Sequence, residues 1–306
     1  MKGAVITGAT GMLGRALTER LVREGLEVLL LVNPASVRRS GLLSESPLVS
    51  VVACGLDDYA SFAIQNDGRW DVFYHFAWKG TFGDARNDVR LQEENIRFTL
   101  DAVDLAARLG CSRFVGAGSQ AEYGRVEGAL SSDTPTNPEN GYGMAKLAAG
   151  RMSRLHCKKR GLQHVWTRIL SVYGPEDGKQ TMIMSTLGAL LEGRAPSLTS
   201  CEQCWDYLYR DDAAEALYLV GQKGEDGSVY PVGSGVARPL REYVDVMRNA
   251  VNPDAEIGFG RVPYADGQVM HLEANIEELQ VDTGFVPRVD FEEGIGRTLE
   301  WLKRRR

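Results

Sequence analysis

The chain has 306 residues, of which 43% are hydrophobic, 25% charged and 8% aromatic, a globular composition that excludes disordered and fibrous classes. Lys and Arg number 35 against 41 Asp and Glu, a formal charge of −6, which argues against a protein that tracks nucleic-acid phosphates. No apolar run approaches the ~20 residues needed to cross a bilayer, and the chain enters a strand at once, which leaves no room for a signal peptide. At roughly 150 residues per domain the length suits two domains or one large α/β unit.

Lys2–Thr7 is a short apolar strand, followed by Gly8-Ala9-Thr10-Gly11. Leu13, Ala16, Leu17 and Leu21 then fall at i, i+3, i+4 and i+8, the period of a helix closed by Gly25. Val28–Val32 reads as a second strand, and continuous Val/Leu runs of this kind fit a parallel sheet covered on both faces. Alternation continues through Leu48–Ala53, a short helix from about Asp58, Val72–His75, a long helix from Asp88 to Leu109, Arg113–Gly116, a long helix beginning near Tyr142, and His164–Ile169. This order predicts an α/β fold with a doubly wound parallel sheet, the Rossmann arrangement. Beyond about Pro175 the segments shorten. The expected division is a cofactor domain over residues 1–170 and a smaller C-terminal substrate-binding lobe over 171–306, with segments able to return to the first sheet.

Gly8, Gly11 and Gly14 have G-x-x-G-x-x-G spacing between the first strand and the first helix. There a backbone turns tightly and helix N–H groups face a pyrophosphate. Gly8, Thr10, Gly11, Met12, Leu13 and Gly14 are therefore candidate dinucleotide contacts. An NAD-specific site places Asp or Glu at the end of the second strand, on the ribose 2′-hydroxyl. Asn33 stands there instead, with Arg38 and Arg39 close behind. A neutral amide removes repulsion toward a 2′-phosphate and an arginine can pair with it, so NADP(H) is favoured over NAD(H).

Tyr142 and Lys146 lie at i and i+4, adjacent on one helix face. A phenol titrates near 10, and a fixed ammonium beside it favours phenolate and brings it toward the working range of an acid/base catalyst. The same lysine can hold the nicotinamide ribose. Ser119 ends a strand, where ligands bind in open α/β sheets, and can hydrogen-bond a substrate oxygen. Arg86 and Arg90 are candidate anion contacts, and Trp78 and Phe82 candidate walls of a substrate pocket. Five scattered cysteines read as reduced thiols of a cytoplasmic protein. Cys201-x-x-Cys204 lacks the second pair of a zinc site, and no metal is expected. His75 reads as a packed core histidine.

Through these residues the chain resembles the extended short-chain dehydrogenase/reductases, in the NAD(P)-dependent epimerase/dehydratase family that acts mostly on nucleotide sugars. The resemblance runs through Gly8–Gly14, His75-Phe76-Ala77, Asn95, the Ser119 segment, Tyr142–Lys146, Arg168–Pro175, Trp205–Glu215, Gly233-Ser234-Gly235 and Thr283–Pro287. It implies Tyr142 as acid/base, Lys146 as its activator and ribose ligand, and Ser119 as substrate hydrogen-bonder. It also implies that Leu56, Phe76, Ala77, Lys79 and Asn95 lie along the cofactor, that hydride moves to or from nicotinamide C4, and that Trp78, Gln120, Ser171 and Tyr173 face substrate. A homodimer built from the two long helices is a further implication.

The departures narrow the chemistry. The 4,6-dehydratase branch carries an Asp-Glu pair where this chain has Gln120 and Ala121, and elimination then lacks a proton shuttle. Glu122, one position on, is expected to be turned away by strand alternation. No Arg lies near Pro263-Tyr264-Ala265 to hold a distal phosphate, with Arg261 and Arg238 as substitutes. The expected function is an NAD(P)-dependent oxidoreductase at C4 of a nucleotide-activated sugar, a 4-keto-6-deoxyhexose reductase, with no nucleic-acid or membrane partner. The alternatives are a 4-epimerase with tightly bound NAD, a reductase of a small non-nucleotide carbonyl, and a dinucleotide-sensing module without catalysis.

Overall fold

The computed structural model describes residues 1–40, 45–63 and 70–305, the side chains of 38–40 excepted. In chain order the elements are β1 (Gly3–Thr7), α1 (Met12–Arg23), β2 (Glu27–Val32), β3 (Val49–Ala53), β4 (Val72–His75), α2 (Val89–Arg108), β5 (Arg113–Ser119), α3 (Gly141–Arg160), β6 (Gln163–Ile169), β7 (Ser171–Tyr173), α4 (Met182–Leu191), β8 (Cys204–Tyr209), α5 (Arg210–Lys223), β9 (Val229–Val232), β10 (Ala237–Pro239), α6 (Leu240–Val251), β11 (His271–Leu272), α7 (Glu277–Thr283) and α8 (Phe291–Arg304). The helix expected from Asp58 is instead a single 3₁₀ turn, Leu56–Asp58.

The main sheet has seven strands in the order β3-β2-β1-β4-β5-β6-β9, every pairing parallel. Alternate side chains serve two cores, as the pleat requires. Ala4, Ile6, Val28, Leu30 and Tyr74 meet Leu17 and Leu21 of α1 and Ala213 and Leu217 of α5. On the other face Val5, Leu29, Leu31, Phe73 and Phe114 meet Ala102, Val103 and Ala106 of α2 and Cys157 of α3. The chain leaves β1 toward β3 on one side and resumes at β4 on the other, so the strand order reverses between β1 and β4. A crevice opens there at the carboxyl ends of the strands.

After residue 170 the chain serves both units. Strand β9 pairs with β6 in the main sheet, and α5 packs on that sheet's core. β8 pairs with β7, β10 and β11 in a small second sheet. A core of Tyr173, Ile183, Leu187, Tyr209, Tyr243, Met247, Phe291 and Ile295 joins this sheet to α4, α6 and α8. Two buried carboxylates fasten its loops. Asp206 accepts from Ser234 N, Ser234 Oγ, Gly235 N and Ala274 N at 2.7–3.1 Å, and Asp212 accepts from Arg288 N at 2.9 Å and Val289 N at 2.8 Å. The Gly233-Ser234-Gly235 motif is thus a turn shaped around Asp206. No helix among the described residues is long and apolar enough to cross a membrane.

Two histidines are held neutral inside the sheet. His75 Nδ1 lies 3.0 Å from Thr7 Oγ1 and Nε2 lies 3.4 Å from Thr99 Oγ1. Thr99 gives its own proton to Asn95 O at 2.8 Å, so its oxygen takes the Nε2 proton, a tautomer assigned from the bonding pattern. Burial pushes the His75 imidazolium down to about 3. His164 stacks between Phe114 and Trp166 at centroid distances of 6.1 and 6.0 Å, and burial lowers it to about 4. An unfolded histidine binds a proton below about 6.5 while folded His164 stays neutral to about 4. Stability therefore rises with pH across that window and is lost on acidification, by ~2 kcal/mol between pH 7.5 and 5 for this one group. In urea unfolding at those two pH values, His164→Gln is expected to lose about that much less than the parent; equal losses would show that His164 is not a buried neutral group.

Candidate active site

The three glycines of the first loop have three different steric reasons. Gly8 adopts φ +71°, and a Cβ there would lie 2.7 Å from Ala77 N. A Cβ on Gly14 would lie 2.5 Å from Gly8 O, so α1 packs directly on the loop. At Gly11 the nearest atom to an added Cβ is Gly8 O, at an ordinary 3.5 Å, so this position is bare toward the cleft. Gly11 is also the N-cap of α1 and offers no capping side chain. The first-turn N–H groups, carried by Met12 and Leu13, thus form the positive end of a helix with open approach, as a diphosphate requires.

A cleft of about 340 Å³ lies along this loop, and its lining includes Gly8, Thr10, Gly11, Asn33, Leu56, Phe76, Ala77, Trp78 and Lys79. Cys54, Tyr59 and Thr81 also line it and were not singled out from sequence. Cys54 follows β3 directly, so its place at a strand's carboxyl end was the available signal. Thr7 Oγ1 accepts from Phe76 N at 3.2 Å and Ala77 N at 3.3 Å, which fixes the facing wall. Asn33 is exposed, and its Oδ1 accepts from Ala35 N at 2.9 Å. Arg38 and Arg39 lie in the following 3₁₀ turn, Pro34–Ser40, and their side chains fall outside the described residues. The nearby carboxylates have partners: Asp58 accepts from Gly55 N at 2.8 Å, and Asp57 pairs with Lys79 Nζ at 3.0 Å. Asn95 is 1% exposed, accepting from Lys79 N at 2.9 Å and donating to Lys79 O at 3.0 Å. Its side-chain amide braces the cleft wall at the Lys79 backbone. These residues fit a dinucleotide: a bare helix end for the diphosphate and a neutral amide at the ribose end.

Ser119 ends β5 and caps the next turn, its Oγ accepting from Ala121 N at 3.2 Å. Helix α3 starts at the N-cap Asn140, whose side chain accepts from Gly143 N at 2.9 Å. A Cβ on Gly143 would sit 2.3 Å from Ala121 O. Only glycine lets α3 come this close to the turn, and the approach brings Tyr142 near enough to Ser119 for that side chain to favour the phenolate. Lys146, one turn on, is 4% exposed, donates from Nζ to Ala117 O at 2.6 Å and lies 3.7 Å from the Trp78 ring centroid. Burial pulls its ammonium down to about 7, with Glu122 opposing.

The electrostatics differ from the sequence expectation. Tyr142 is pushed up from 10, chiefly by burial, while Ser119 and Arg86 act to lower it. Lys146 Nζ is 5.8 Å from the Tyr142 ring centroid, whereas the Arg86 guanidinium carbon is 4.3 Å from it. The nearer cation is therefore Arg86. Glu122 lies not on the strand but in the 3₁₀ turn Gln120–Glu122, and it faces inward. Its carboxylate accepts from Ser119 N at 2.8 Å, Trp166 Nε1 at 3.0 Å and Arg168 Nε at 2.9 Å. This buried ion pair is structural: removing one partner of such a pair leaves a stranded charge.

The expected substrate residues divide. Trp78 sets its ring edge-on to Tyr142 at 6.1 Å and donates from Nε1 to Gln92 Oε1 at 2.9 Å. Gln120 is half-buried in the turn after Ser119. Ser171 Oγ accepts from Trp205 Nε1 at 2.7 Å. Tyr173 is a correction: it is 1% exposed and 5.0 Å from the Phe291 ring, inside the core of the second lobe. Ser171 and Tyr173 share one face of β7, but at Tyr173 that face is covered by the rings of Tyr207, Tyr209 and Phe291. Arg238 and Arg261 pair with Glu292 and Glu256. Cys201, at φ +56°, and Cys204 are free thiols.

Residues 4–233 match the family described as the NAD dependent epimerase/dehydratase family. A dTDP-glucose 4,6-dehydratase of Streptomyces griseus is 27% identical over 69% of this chain and 65% of its own length. The crystal structure of DesIV, a dTDP-glucose 4,6-dehydratase from Streptomyces venezuelae with NAD and TYD bound, superposes with a TM-score of 0.86 at 21% identity, covering 99% of this chain and 97% of that one. UDP-glucose 4-epimerase of Thermotoga maritima, solved with UDP-glucose, gives a TM-score of 0.86 at 20% identity and covers 99% of each chain. The family match spans most of the chain and takes in the bare glycine loop and the Ser119, Tyr142 and Lys146 cluster: the protein is an enzyme of the extended short-chain dehydrogenase/reductase type and belongs to the NAD-dependent epimerase/dehydratase family.

Proposed function

We propose that the enzyme interconverts a hydroxyl and a ketone at C4 of a nucleotide-activated hexose, and that its net reaction is reduction of a 4-keto-6-deoxyhexose by NADPH. One observation carries this reading: among the described residues no free carboxylate lies beside the Ser119–Tyr142 pair. Gln120 and Ala121 stand where a dehydratase has its acid/base pair, and Glu122 is bound to Arg168, Trp166 and the Ser119 backbone. Proton transfer to and from one oxygen remains; removal of water from a neighbouring carbon has no group to serve it.

The cofactor, when bound, supplies the hydride donor or acceptor. The chain's own groups do the rest. Ser119 and Tyr142, neighbours across the contact between α3 and the turn after β5, are the groups that donate to the substrate C4 oxygen. Tyr142 holds the proton that the nascent alkoxide takes, and burial keeps that phenol protonated until the oxygen develops charge. Lys146 loses its proton near neutrality in this dry site, so it can hold a ribose hydroxyl as donor or acceptor. Trp78 and Phe76 wall the cleft against water. The neutral Asn33, with two arginines following in sequence, favours a 2′-phosphate over a bare 2′-hydroxyl. A second reading, 4-epimerisation with retained NAD, draws on the Lys79–Asp57 pair, which joins the two loops flanking the cleft and would slow cofactor release. Its free thiols suit the cytoplasm.

Tyr142→Phe is expected to lower kcat by about 10²–10⁴-fold and to leave NADPH binding in place. Binding is read as a thermal shift, larger with NADPH than with NADH at equal concentration. Undiminished turnover in this variant contradicts the reading, and consumption of no NADPH with retained cofactor selects epimerisation.

We also infer a homodimer through α2 and α3. Met144, Met152 and Leu155 form one face of α3 and are 54%, 45% and 72% exposed, with Val89 of α2 at 67%. An apolar stripe of this kind marks an association surface. Leu155→Glu combined with Met152→Lys is expected to sediment as a folded monomer, and an unchanged dimer would place the interface elsewhere.

A further inference from the structure

The turn Gly83–Asn87 is clamped between the cleft wall and the start of α3. Arg86 Nη1 donates to Thr81 O at 3.2 Å, and Asn87 Oδ1 accepts from Gly141 N at 3.1 Å. An added Cβ on Gly141 would lie 3.0 Å from Arg86 O, so the helix start and the turn touch backbone to backbone. This contact fixes the guanidinium over one face of the Tyr142 ring at 4.3 Å while the Trp78 edge meets the same ring at 6.1 Å. A cation over an aromatic face is attracted by the ring, more so when both are desolvated, and the attraction grows when that ring carries charge.

The other charged groups around Tyr142 are engaged elsewhere. On its own helix, Lys146 Nζ is 5.8 Å from the ring centroid, donates to Ala117 O at 2.6 Å and lies against Trp78 at 3.7 Å. From the turn after β5, Glu122 disfavours the phenolate, and its charge is offset by Arg168 at 2.9 Å. Ser119, from the end of β5, is a neutral neighbour that favours the phenolate. Arg86 is the closer fixed positive charge.

We propose that Arg86 is a positioning residue for the reaction: its guanidinium, acting through the ring and not on the reacting atoms, is the cation that stabilises the phenolate of Tyr142, in addition to Lys146. The direction agrees with the local electrostatics, in which burial raises Tyr142 and Arg86 opposes it. The inference rests on reading Tyr142 as the acid/base group. It adds a second cation to the one the spacing suggested: Lys146, which burial pulls down to about 7, is also turned to Ala117 O and Trp78, and the Arg86 guanidinium lies nearer the ring.

The test is an ultraviolet titration of tyrosinate in the NADPH-saturated protein, with the Tyr142 component isolated by subtracting Y142F. Arg86→Met is expected to move that component up by about one pH unit, a roughly tenfold fall in phenolate at fixed pH, and Arg86→Lys to restore most of it. Arg86→Gln, which keeps a donor for Thr81 O without the charge, is expected to behave like Arg86→Met and guards against a loop that simply loosens. The limb of the pH–kcat profile that reports Tyr142 should move with the titration. A component that stays in place in both neutral variants overturns the proposal, and a change confined to KM would make Arg86 a substrate anion contact instead. If Y142F keeps full turnover, the acid/base reading itself fails; if Y142F is inactive and the neutral variants leave the titration unmoved, only the role of Arg86 fails.

Discussion

Helix α3 approaches the end of β5 so closely that no side chain fits between Gly143 and Ala121 O, where a Cβ would lie at 2.3 Å. Everything chemical in the site follows from that contact. It delivers Tyr142 to Ser119, sets Lys146 under Ala117 O, and lets Gly141 meet the turn that holds Arg86. A comparable contact occurs on the cofactor side, where Gly14 seats α1 on Gly8 O. Two glycine-mediated helix contacts, on either side of the point where strand order reverses, thus place a bare helix end and a phenol at the same edge of one sheet.

Burial then decides which charges remain in that edge. The Glu122 carboxylate is held by Arg168, Trp166 and a backbone N–H, a buried network that fixes the geometry of the turn. His75 is held neutral between Thr7 and Thr99, and Thr7 at the same time braces the cleft wall at Phe76 and Ala77. Lys146 is driven toward neutrality. Among the described residues the site is consequently poor in free carboxylates and built around a phenol that burial keeps protonated, which suits moving one proton on and off a single oxygen.

Much of this was legible in the chain because it depends on local pattern. The alternation of apolar runs and helical periods gave the parallel sheet, and Gly8, Gly11 and Gly14 gave the cradle, since turn chemistry is set by neighbours in sequence. Tyr142 and Lys146 at i and i+4 gave the shared helix face. What escaped was decided by long-range packing. Arg86 reaches Tyr142 only because residues 56 apart in sequence are clamped through Gly141. Glu122 turned inward because the strand had already ended in a 3₁₀ turn. Tyr173 left the pocket for the core because an aromatic cluster around Phe291 was there to bury it. Burial, which sets the titration of Lys146 and Tyr142, has no signature in spacing at all.

The proposed reaction is hydride transfer to one sugar carbon without loss of water. Incubation with NADPH deuterated at nicotinamide C4 and a nucleotide-linked 4-keto-6-deoxyhexose, followed by NMR of the product, addresses it most directly. One deuterium at hexose C4 is expected for each NADPH oxidised, with C5 and C6 unlabelled. A product lacking deuterium at C4, or release of water from a nucleotide-linked 6-hydroxyhexose, would contradict it.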